Sequence, residues 1–420
     1  MSSDSARAPE PAPAPAAAVG HPLSRPHFRN LWLGATISLL GDQFYLVALP
    51  WLVLQMTGSS LALGTILMTA AIPRAALMLV GGAMTDRFSA RRVLMSTATI
   101  RALLVGAVAA LVWLRVAALW EIYVLTFIFG VADAFSFPAG PTLTPLLVEP
   151  EQLRPANAVM QSSAVLSQMV GPAPAGLLIK AFGIASALLF DALSFLAVIV
   201  ALFRIPAPPP APPAAPGTPA RPSMLHSIAE GLRAVWHDPP LASLMMLFAV
   251  INICVAGPVG VGLAAVAKFR YGSAAAFGTF LSCFSGGTLL GVLLGGRVKQ
   301  PRRRGLQFIV MSGLTGVELV LIGLVLKAVV IAVLLAVMGL AVGFVNVQFS
   351  SWIQLRVERA LLGRVMSVLM FAAVGLIPVS YAVAGWLANW SLRALFIASG
   401  ALLTIASAAA LTGKAAREID

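Results

Sequence analysis

Six ionisable residues lie inside stretches of the chain that are otherwise apolar: Asp42, Arg74, Arg101, Asp133, Asp191 and Glu318. A charged side chain inside a membrane span costs roughly 2.5 to 3.5 kcal/mol on insertion scales, so each of the six is a candidate for a functional role. Arg101 and Asp133 both lie about 12 Å from the end of their stretch at a rise of 1.5 Å per residue, and Arg74 lies at a similar depth. We therefore expect these three residues to pair, either as a tether between helices or as part of a working site.

Asp42 lies near the middle of the first apolar stretch, next to Gln43, and the sequence shows no basic residue at its own depth. A carboxyl group in surroundings of low dielectric is suited to binding and releasing a proton. We therefore predict that Asp42 couples to protons or to a cationic substrate, with Gln43 beside it. The alternative is an inert carboxyl group that is satisfied by hydrogen bonds.

The elements that must position these residues are membrane-spanning helices. The 420 residues are 59% hydrophobic and only 10% charged, which is too apolar for a soluble domain of this length. A helix needs roughly 20 apolar residues to cross a bilayer, and the chain has twelve such stretches, so the sequence predicts an all-α polytopic membrane protein. The spans are expected at about 28–54, 61–83, 93–114, 119–140, 157–181, 184–203, 241–266, 274–296, 306–326, 328–351, 365–388 and 393–412.

Proline-rich segments divide the chain. Residues 206–222 are rich in Pro and Ala, which is typical of a semi-rigid linker, and the first residues have a similar composition without an apolar run. Gly295-Gly296 before a basic loop repeats a feature of the first half, which favours two six-helix halves. The predicted divisions are a disordered cytoplasmic tail at 1–27, a six-helix bundle at 28–204, a cytoplasmic linker with a short surface helix at 205–240, a second six-helix bundle at 241–413 and a cytoplasmic tail at 414–420.

The net charge of +13 comes mostly from Lys and Arg in short segments between the spans. Because these residues are concentrated on one side, the charge indicates orientation in the membrane rather than nucleic-acid binding, and it places both termini in the cytoplasm. Cys254 and Cys283 lie inside apolar stretches, and all four histidines lie outside the spans. We therefore expect no disulfide framework, no metal site and no cofactor. An enzyme would need a nucleophile with a base, or a metal pair, at matching depth, so no enzymatic activity is expected.

A charged hairpin, Gly81–Leu94, joins the second and third spans and reads GGAMTDRFSARRVL. Its small and charged positions are Gly82, Asp86, Arg87, Arg91 and Arg92. This pattern resembles the signature loop of major facilitator superfamily transporters, with Ser89-Ala90 where the family usually has Gly-Arg. The resemblance implies a conformational gate, in which Asp86 accepts hydrogen bonds from the amino end of a neighbouring helix. The alternative is a solvated basic loop.

The fifth span contains Gly171-Pro172-x-x-x-Gly176. This run resembles the helix-five motif of facilitator antiporters, where glycine and proline allow a bend and close packing. An ordinary packing face of small residues is the alternative.

Three further segments look like the third drug:proton antiporter group, which includes bacterial exporters of macrolides, siderophores and metal ions. They read LLGDQ at 39–43, DAFSFPA at 133–139 and LRPANA at 153–158. The basic residue that many drug antiporters carry in helix four would fall near Thr126, and it is missing here. The resemblance also places Asp191 and Glu318 on peripheral helices, in structural or interfacial roles.

Polar residues are sparse on the helices that should line the cavity of such a carrier. The predicted lining residues are Gln161, Gln168, Asn252, Asn346, Gln348 and Trp352. An apolar cavity with a few polar points suits bulky amphiphilic substrates. Aromatic residues such as Tyr45 and Phe344 lie nearby, although each of them on its own could equally serve helix packing. Metal export is disfavoured because no span holds a cluster of His and Cys.

The sequence is thus similar to that of a twelve-helix carrier with the major facilitator fold. Such a carrier would export a small amphiphilic compound across the cytoplasmic membrane by proton antiport with alternating access. Its expected partners are a small-molecule substrate, protons and the lipid bilayer, without nucleic acid, and it is expected to act as a monomer. The alternatives are a carrier of the same fold for a siderophore, lipid or other metabolite, and a sensor built on the fold that transports nothing.

Overall fold

The computed structural model describes residues 21–206, 224–297, 304–325 and 327–412. The regular structure in these residues is helical, and no β-strand occurs among them. The α-helices are α1 (Pro26–Thr57), α2 (Ser60–Phe88), α3 (Ala90–Trp113), α4 (Leu119–Leu143), α5 (Leu153–Val170), α6 (Pro172–Phe182), α7 (Ile184–Phe203), α8 (Met224–His237), α9 (Pro239–Gly257), α10 (Leu263–Tyr271), α11 (Ala274–Arg297), α12 (Arg304–Leu324), α13 (Ala328–Arg356), α14 (Arg359–Met370), α15 (Ile377–Trp390) and α16 (Leu392–Thr412).

The described residues contain 11 helical segments that are long and apolar enough to cross a membrane. The pair α5 and α6, bent by 42° between Val170 and Pro172, makes the twelfth. Two other spans are interrupted by a π-helical turn, at Pro258–Gly262 between α9 and α10 and at Phe371–Gly375 between α14 and α15. The prediction of an all-α membrane protein with twelve spans is confirmed.

The boundary between the linker and the second half differs slightly from the prediction. Helix α9 begins at Pro239, inside the segment expected to be linker, because Asp238 caps it by accepting a hydrogen bond from the backbone N–H of Leu241 at 3.3 Å. The surface helix expected in the linker is α8, which lies against α14 through an ion pair between Glu230 and Arg364 at 2.9 Å. The first tail is predicted at 1–27, but α1 already begins at Pro26. Residues 1–20, the Pro-rich segment from residue 207 on and the predicted tail at 414–420 lie outside the described residues.

The connections between spans alternate between the two ends of the bundle. At one end, here called the Gly58 end, helices join at Gly58, Gly183 and Gly272, whose φ angles of 62°, 84° and 59° favour glycine. The opposite end, here called the Ser89 end, holds the single-residue turn at Ser89 between α2 and α3. Large aromatic side chains are exposed around the Gly58 end, as expected at a membrane interface. They include Trp113, Trp120, Trp386 and Trp390.

Packing separates the membrane-spanning helices into two groups. In the first group α1 and α3 pack against α7, and α2 packs against α4; in the second, α11 packs against α13 and α12 against α16. The groups meet chiefly where α2 contacts α15 and where α5 and α6 contact α11. This pattern supports the predicted division into two six-helix halves.

The two groups approach each other closely near the Gly58 end. A methyl group added at Gly64 of α2 would lie 2.7 Å from the Cα atom of Gly385 in α15, so only glycine fits there. Beyond this crossing, the Ser59 hydroxyl bonds to the side-chain oxygen of Asn389 at 3.2 Å. The Nζ atom of Lys268 also lies 4.6 Å from the centre of a Trp51 ring, which joins α10 to α1. The bundle is therefore closed on this side.

Candidate functional site

Four consecutive helices, α1 to α4, each contribute one charged side chain to a cluster inside the first group. Arg101 Nη2 donates to Asp42 Oδ1 at 2.6 Å, and Arg101 Nη1 lies 3.9 Å from Asp133 Oδ1. Arg74 Nε lies 3.2 Å from the other carboxylate oxygen of Asp133. The four charges thus form a chain that runs from Asp42 through Arg101 and Asp133 to Arg74. Two carboxylates facing two guanidinium groups balance each other, which is how charges are accommodated inside a membrane protein.

The structure brings together Arg74, Arg101 and Asp133, as their depths in the sequence suggested. It contradicts the expectation that Asp42 has no basic residue at its depth, because Arg101 contacts it directly. Counted from the Ser89 end, Asp42 is five residues deeper in its helix than Arg101 is in α3, which is about 7.5 Å along a helix axis. A long arginine side chain spans that difference, and counting residues along separate helices does not include its reach.

Two aromatic rings hold the Arg101 guanidinium in place. Its central carbon lies 4.6 Å from the ring centre of Phe129 in α4 and 4.6 Å from that of Phe195 in α7. Such cation–π contacts contribute roughly 0.5 to 2 kcal/mol each, more when the cation is desolvated, and the Arg101 side chain is only 13% exposed. Arg74 is less confined, with 39% of its side chain exposed and the Phe137 ring at 5.6 Å. Arg101 is therefore the fixed centre of the cluster.

Helix α4 has Thr126 near the place where the resemblance would put a basic residue. Thr126 is buried in α4, one turn before Phe129. The Arg101 guanidinium of α3 lies on the Phe129 ring, so a positive charge contacts α4 one turn further along the helix.

A cavity of about 240 Å³ between the two groups lies next to this cluster. A site for one water needs roughly 10 to 15 Å³ on the same measure, so the cavity can hold a small organic molecule. Its walls are apolar apart from two tyrosine side chains and the backbone. They are formed by Tyr45, Leu46, Leu49, Pro50, Leu67, Val255, Ala256, Val259, Gly260, Phe277, Leu281, Phe284 and Tyr381.

Tyr45 connects the cavity to the charges. Its ring stacks on Phe129 with the centres 4.6 Å apart and the planes 16° apart, and Phe129 in turn lies on the guanidinium of Arg101. A ligand in the cavity would therefore be separated from the charge cluster by two stacked aromatic rings, Tyr45 and Phe129. Asp42 and Tyr45 lie about one turn apart on α1, which is the signal in the sequence that links the two sites.

None of the six polar residues predicted to line the cavity is on its wall. Gln348 and Trp352 border a pocket of about 20 Å³ inside the second group, and Asn346 borders another of about 20 Å³. The Asn252 amide donates to the carbonyl oxygen of Phe248 in its own helix at 2.9 Å. Residue polarity indicated the helices but not their rotation, which packing decides.

The other polar candidates lie at helix surfaces or bond within their own helix. Gln161 and Gln168 are exposed on α5, where they remain candidates for the opening toward the Ser89 end. Gln43 is buried and donates to the carbonyl oxygen of Leu39 at 3.4 Å. Its aliphatic part packs on Gly171, where an added methyl group would lie 2.6 Å from Gln43 Cβ.

The helix-five motif lies at the crossing of α6 with α11. Pro172 begins α6 after the 42° bend, consistent with its lack of a backbone N–H. A methyl group added at Gly278 of α11 would lie 2.0 Å from the Pro172 carbonyl oxygen, and one at Gly176 would lie 2.4 Å from that of Ala274. The motif thus forms a contact between the two groups that only small residues permit.

In the predicted gate, α2 continues to Phe88, and Ser89 alone separates it from α3. Arg91 Nε donates to the carbonyl oxygen of Leu202 at 2.8 Å, which ties α3 to the end of α7, and Arg92 is exposed. Gly82, Asp86 and Arg87 belong to α2, but their side chains lie outside the part that the structure describes. Their role as a gate stays a prediction.

The two remaining buried carboxyl groups lie on α7 and α12. Asp191 is 0% exposed and faces α1, where a methyl group added at Gly41 would lie 2.9 Å from its Oδ1. Glu318 on α12 is also buried, and its Oε2 has no hydrogen-bond partner. Within the described residues no group of three or more His, Cys, Asp or Glu side chains could hold a metal ion.

The chain is similar in sequence to known membrane transport proteins. The model of the Major Facilitator Superfamily matches residues 31–380. Macrolide efflux protein A of Streptococcus pyogenes is 24% identical over 345 residues, which cover 81% of this chain and 84% of that protein. Multidrug efflux pump Tap of Mycolicibacterium fortuitum is 28% identical over 392 residues, which cover 90% and 94%.

Among solved structures, a bacterial homologue of the iron transporter ferroportin in an inward-facing state superimposes with a TM-score of 0.70 at 17% identity. The match covers 92% of this chain and 98% of the other. At this level of identity the likeness concerns the fold alone.

Proposed function

The chain belongs to the major facilitator superfamily of membrane transporters, and we propose that it exports small amphiphilic compounds from bacterial cells in exchange for protons. As a multi-pass transporter it is not an enzyme. The observation that carries the proposal is the apolar cavity between the two helix groups, which two stacked aromatic rings separate from a buried charge cluster. An apolar cavity with two tyrosines favours a mostly hydrophobic compound with a few polar groups.

Alternating access follows from the places where the groups meet. Their contacts at Gly64 and Gly385, and at Gly278 and Pro172, close the Gly58 end. Rocking about these small-residue crossings would open that end and close the Ser89 end. The excess of Lys and Arg puts the Ser89 end and both termini in the cytoplasm, so the conformation described here would face inward. The Asp86 hairpin would open and re-form its contacts during this motion.

Coupling to protons would pass through Arg101. When Asp42 is ionised, Arg101 bonds to it at 2.6 Å. Protonation of Asp42 removes the charge that holds the guanidinium, and Arg101 then relies on Asp133, at 3.9 Å. Because Arg101 lies on Phe129 and Phe129 lies on Tyr45, a shift of the guanidinium would move the cavity wall and weaken substrate binding.

A susceptibility panel tests the export function. A sensitive bacterial host that overproduces the chain is compared with a host that carries the empty vector, across macrolides, other amphiphilic antibiotics and cationic dyes. The proposal expects that the wild-type chain raises the inhibitory concentrations of part of the panel. The Asp42→Asn variant, at equal abundance in the membrane, should leave them at the level of the empty vector. Glu151→Gln, which removes an exposed carboxyl group, is the matched control and should protect like the wild type.

Inverted membrane vesicles test the coupling. For a compound to which the wild-type chain confers resistance, uptake should rise when a pH gradient is imposed. In Asp42→Asn, uptake should stay at the level measured without a gradient. If that variant responds to the gradient as the wild type does, the coupling role moves to Asp133. If no compound on the panel is exported, a siderophore, lipid or other metabolite becomes the substrate to test, and a sensor function follows only if vesicles transport none of these.

A further inference from the structure

We propose that Asp191 carries a proton in the conformation described here and is a second proton-exchanging residue beside Asp42. The protonation state follows from the surroundings of the side chain. The exchange rests on the proposed antiport function.

Asp191 is the most enclosed carboxyl group near the cluster. It is 0% exposed, whereas the side chains of Asp42 and Asp133 are 27% and 20% exposed. No Lys or Arg nitrogen of the described residues lies within 4.0 Å of it, and its Oδ2 has no hydrogen-bond partner. An ionised carboxylate without a counter-charge or donors is strongly disfavoured away from water.

The neighbouring hydroxyl of Ser194 is the one side-chain donor to the Asp191 carboxyl group among the described residues, and its bond to Oδ1 is long at 3.5 Å and competes with a shorter one for the same hydrogen. Ser194 Oγ donates its single hydrogen to the backbone oxygen of Asp191 at 2.7 Å, and it lies 3.5 Å from Asp191 Oδ1. A serine hydroxyl that has used its hydrogen in this way can still accept one. A protonated Asp191 fits this arrangement, because it can direct its own hydrogen toward Ser194 Oγ.

The charge balance of the cluster leads to the same state. Asp42 and Asp133 are matched by Arg101 and Arg74. Asp191 lies against Gly41, the chain neighbour of Asp42, and Phe195 of the same helix contacts Arg101, so an ionised Asp191 would be a third negative charge against two positive ones. A net negative charge buried among helices is costly, and one proton on Asp191 restores neutrality.

The helices packed against α7 are α1, α3 and α6. Helix α1 contributes Asp42 and Tyr45, and α3 contributes Arg101. The only ionisable residue of α6 is Lys180, which is exposed near the Gly58 end. Among these groups Arg101 is the cation that can serve Asp191, and in this conformation Asp42 holds it at 2.6 Å.

This arrangement suggests how the proton leaves. When Asp42 takes up a proton and releases Arg101, the guanidinium becomes available to α7, whose Phe195 already lies 4.6 Å from it. The O–H bond of Asp191 then breaks, the proton passes to water, and the carboxylate pairs with Arg101. One proton is bound and one is released, so the total charge of the cluster is unchanged.

Infrared spectroscopy of the full chain in lipid nanodiscs tests the protonation state without any transported compound. At pH 7, protein labelled with ¹³C at the aspartate carboxyl carbon should show a carbonyl band of a protonated acid that shifts with the label. The band should be lost in Asp191→Asn and kept in Glu318→Gln, the matched buried carboxyl. A labelled wild type without the band overturns the proposal, and so does a band that survives in Asp191→Asn. If that variant does not fold, Asp191→Ala takes its place.

A second measurement tests the exchange. In vesicles, Asp191→Asn should still carry substrate down its own gradient but should respond less than half as strongly as the wild type to an imposed pH gradient. If Asp191→Asn responds to the pH gradient as strongly as the wild type, although the infrared band belongs to Asp191, the proton on Asp191 has only a structural role. The proposed exchange would then be wrong. Absence of transport in the wild type would refute the proposed function and leave the infrared result standing.

Discussion

Removing the Arg101 guanidinium tests the charge cluster most directly. In Arg101→Leu, Asp42 and Asp133 lose their shared partner, and breaking a buried ion pair from one side costs about 3 to 5 kcal/mol. The two ring contacts at 4.6 Å are lost as well, at roughly 0.5 to 2 kcal/mol each, although the leucine side chain replaces part of that packing. We expect a loss of about 4 kcal/mol in the free energy of unfolding, from the ion-pair value with a partial contribution of the rings.

A double-mutant cycle separates these contributions. Arg101→Leu combined with Asp42→Asn removes the unpaired carboxylate, so it should be more stable than the sum of the single losses predicts, by about 1 to 3 kcal/mol. Arg101→Lys keeps the charge but not the planar group that stacks on two rings, so its stability should lie between the wild type and Arg101→Leu.

The assay is reversible unfolding of purified protein in mixed detergent micelles at fixed pH and salt, followed by tryptophan fluorescence. If the losses of Arg101→Leu and Asp42→Asn simply add, the bond at 2.6 Å contributes no coupling energy. The reasoning that makes Arg101 the centre of the cluster would then be refuted.

Three further predictions concern other parts of the molecule. Gly278→Ala would push the two groups apart, because its methyl group would lie 2.0 Å from a carbonyl oxygen. We expect a loss of about 1 to 3 kcal/mol in unfolding free energy and slower export. Gly106→Ala, whose methyl group would have its nearest neighbour at 3.8 Å, should behave like the wild type in both assays. Burial raises the pKa of Asp238, but the hydrogen bonds from Arg356 and from a backbone N–H, together with the charge of Arg356, lower it below 3.8 overall. The wild type should therefore be more stable than Asp238→Asn by less than about 1 kcal/mol. This difference should be complete above about pH 4 and should disappear as the pH falls through the lowered pKa. Thermal unfolding at a series of pH values measures it. Tyr45→Leu should change the inhibitory concentrations of exported compounds several-fold. Tyr45→Phe should change them less, because it keeps the ring that stacks between the cavity and the cluster. Equal effects of the two variants would refute a role of this ring in linking the cavity to the cluster.

The comparison of sequence and structure is clearest at the ionisable residues. Counting residues from the ends of the spans predicted that Arg74, Arg101 and Asp133 lie at one depth, and their ion pairs agree. The same counting predicted no basic partner for Asp42, because it ignores how far an arginine side chain extends. The resemblance placed Asp191 on a peripheral helix in a structural or interfacial role, and the structure adds that its side chain is fully buried against Gly41.

The cavity shows a second limit of the sequence. Hydropathy treats a glutamine or asparagine within a span as a polar point that should face a polar space. Asn252 and Gln348 instead bond to backbone carbonyl oxygens, at 2.9 and 3.2 Å, because a helix provides such acceptors everywhere. The wall that forms the cavity is mostly apolar, and no local pattern distinguishes it from the apolar faces that pack together or contact lipid.

The sequence by itself determined the number of spans, their division into two halves and which spans contain ionisable residues. These depend on the transfer of each segment from water to lipid, which is a sum over local residues. Only the tertiary structure decided that Arg101 bonds to Asp42, that Tyr45 lies between cavity and cluster, and that Gly278 meets Pro172. Those contacts depend on the rotation and tilt of helices that are far apart in the chain, and these are set by packing over the whole bundle.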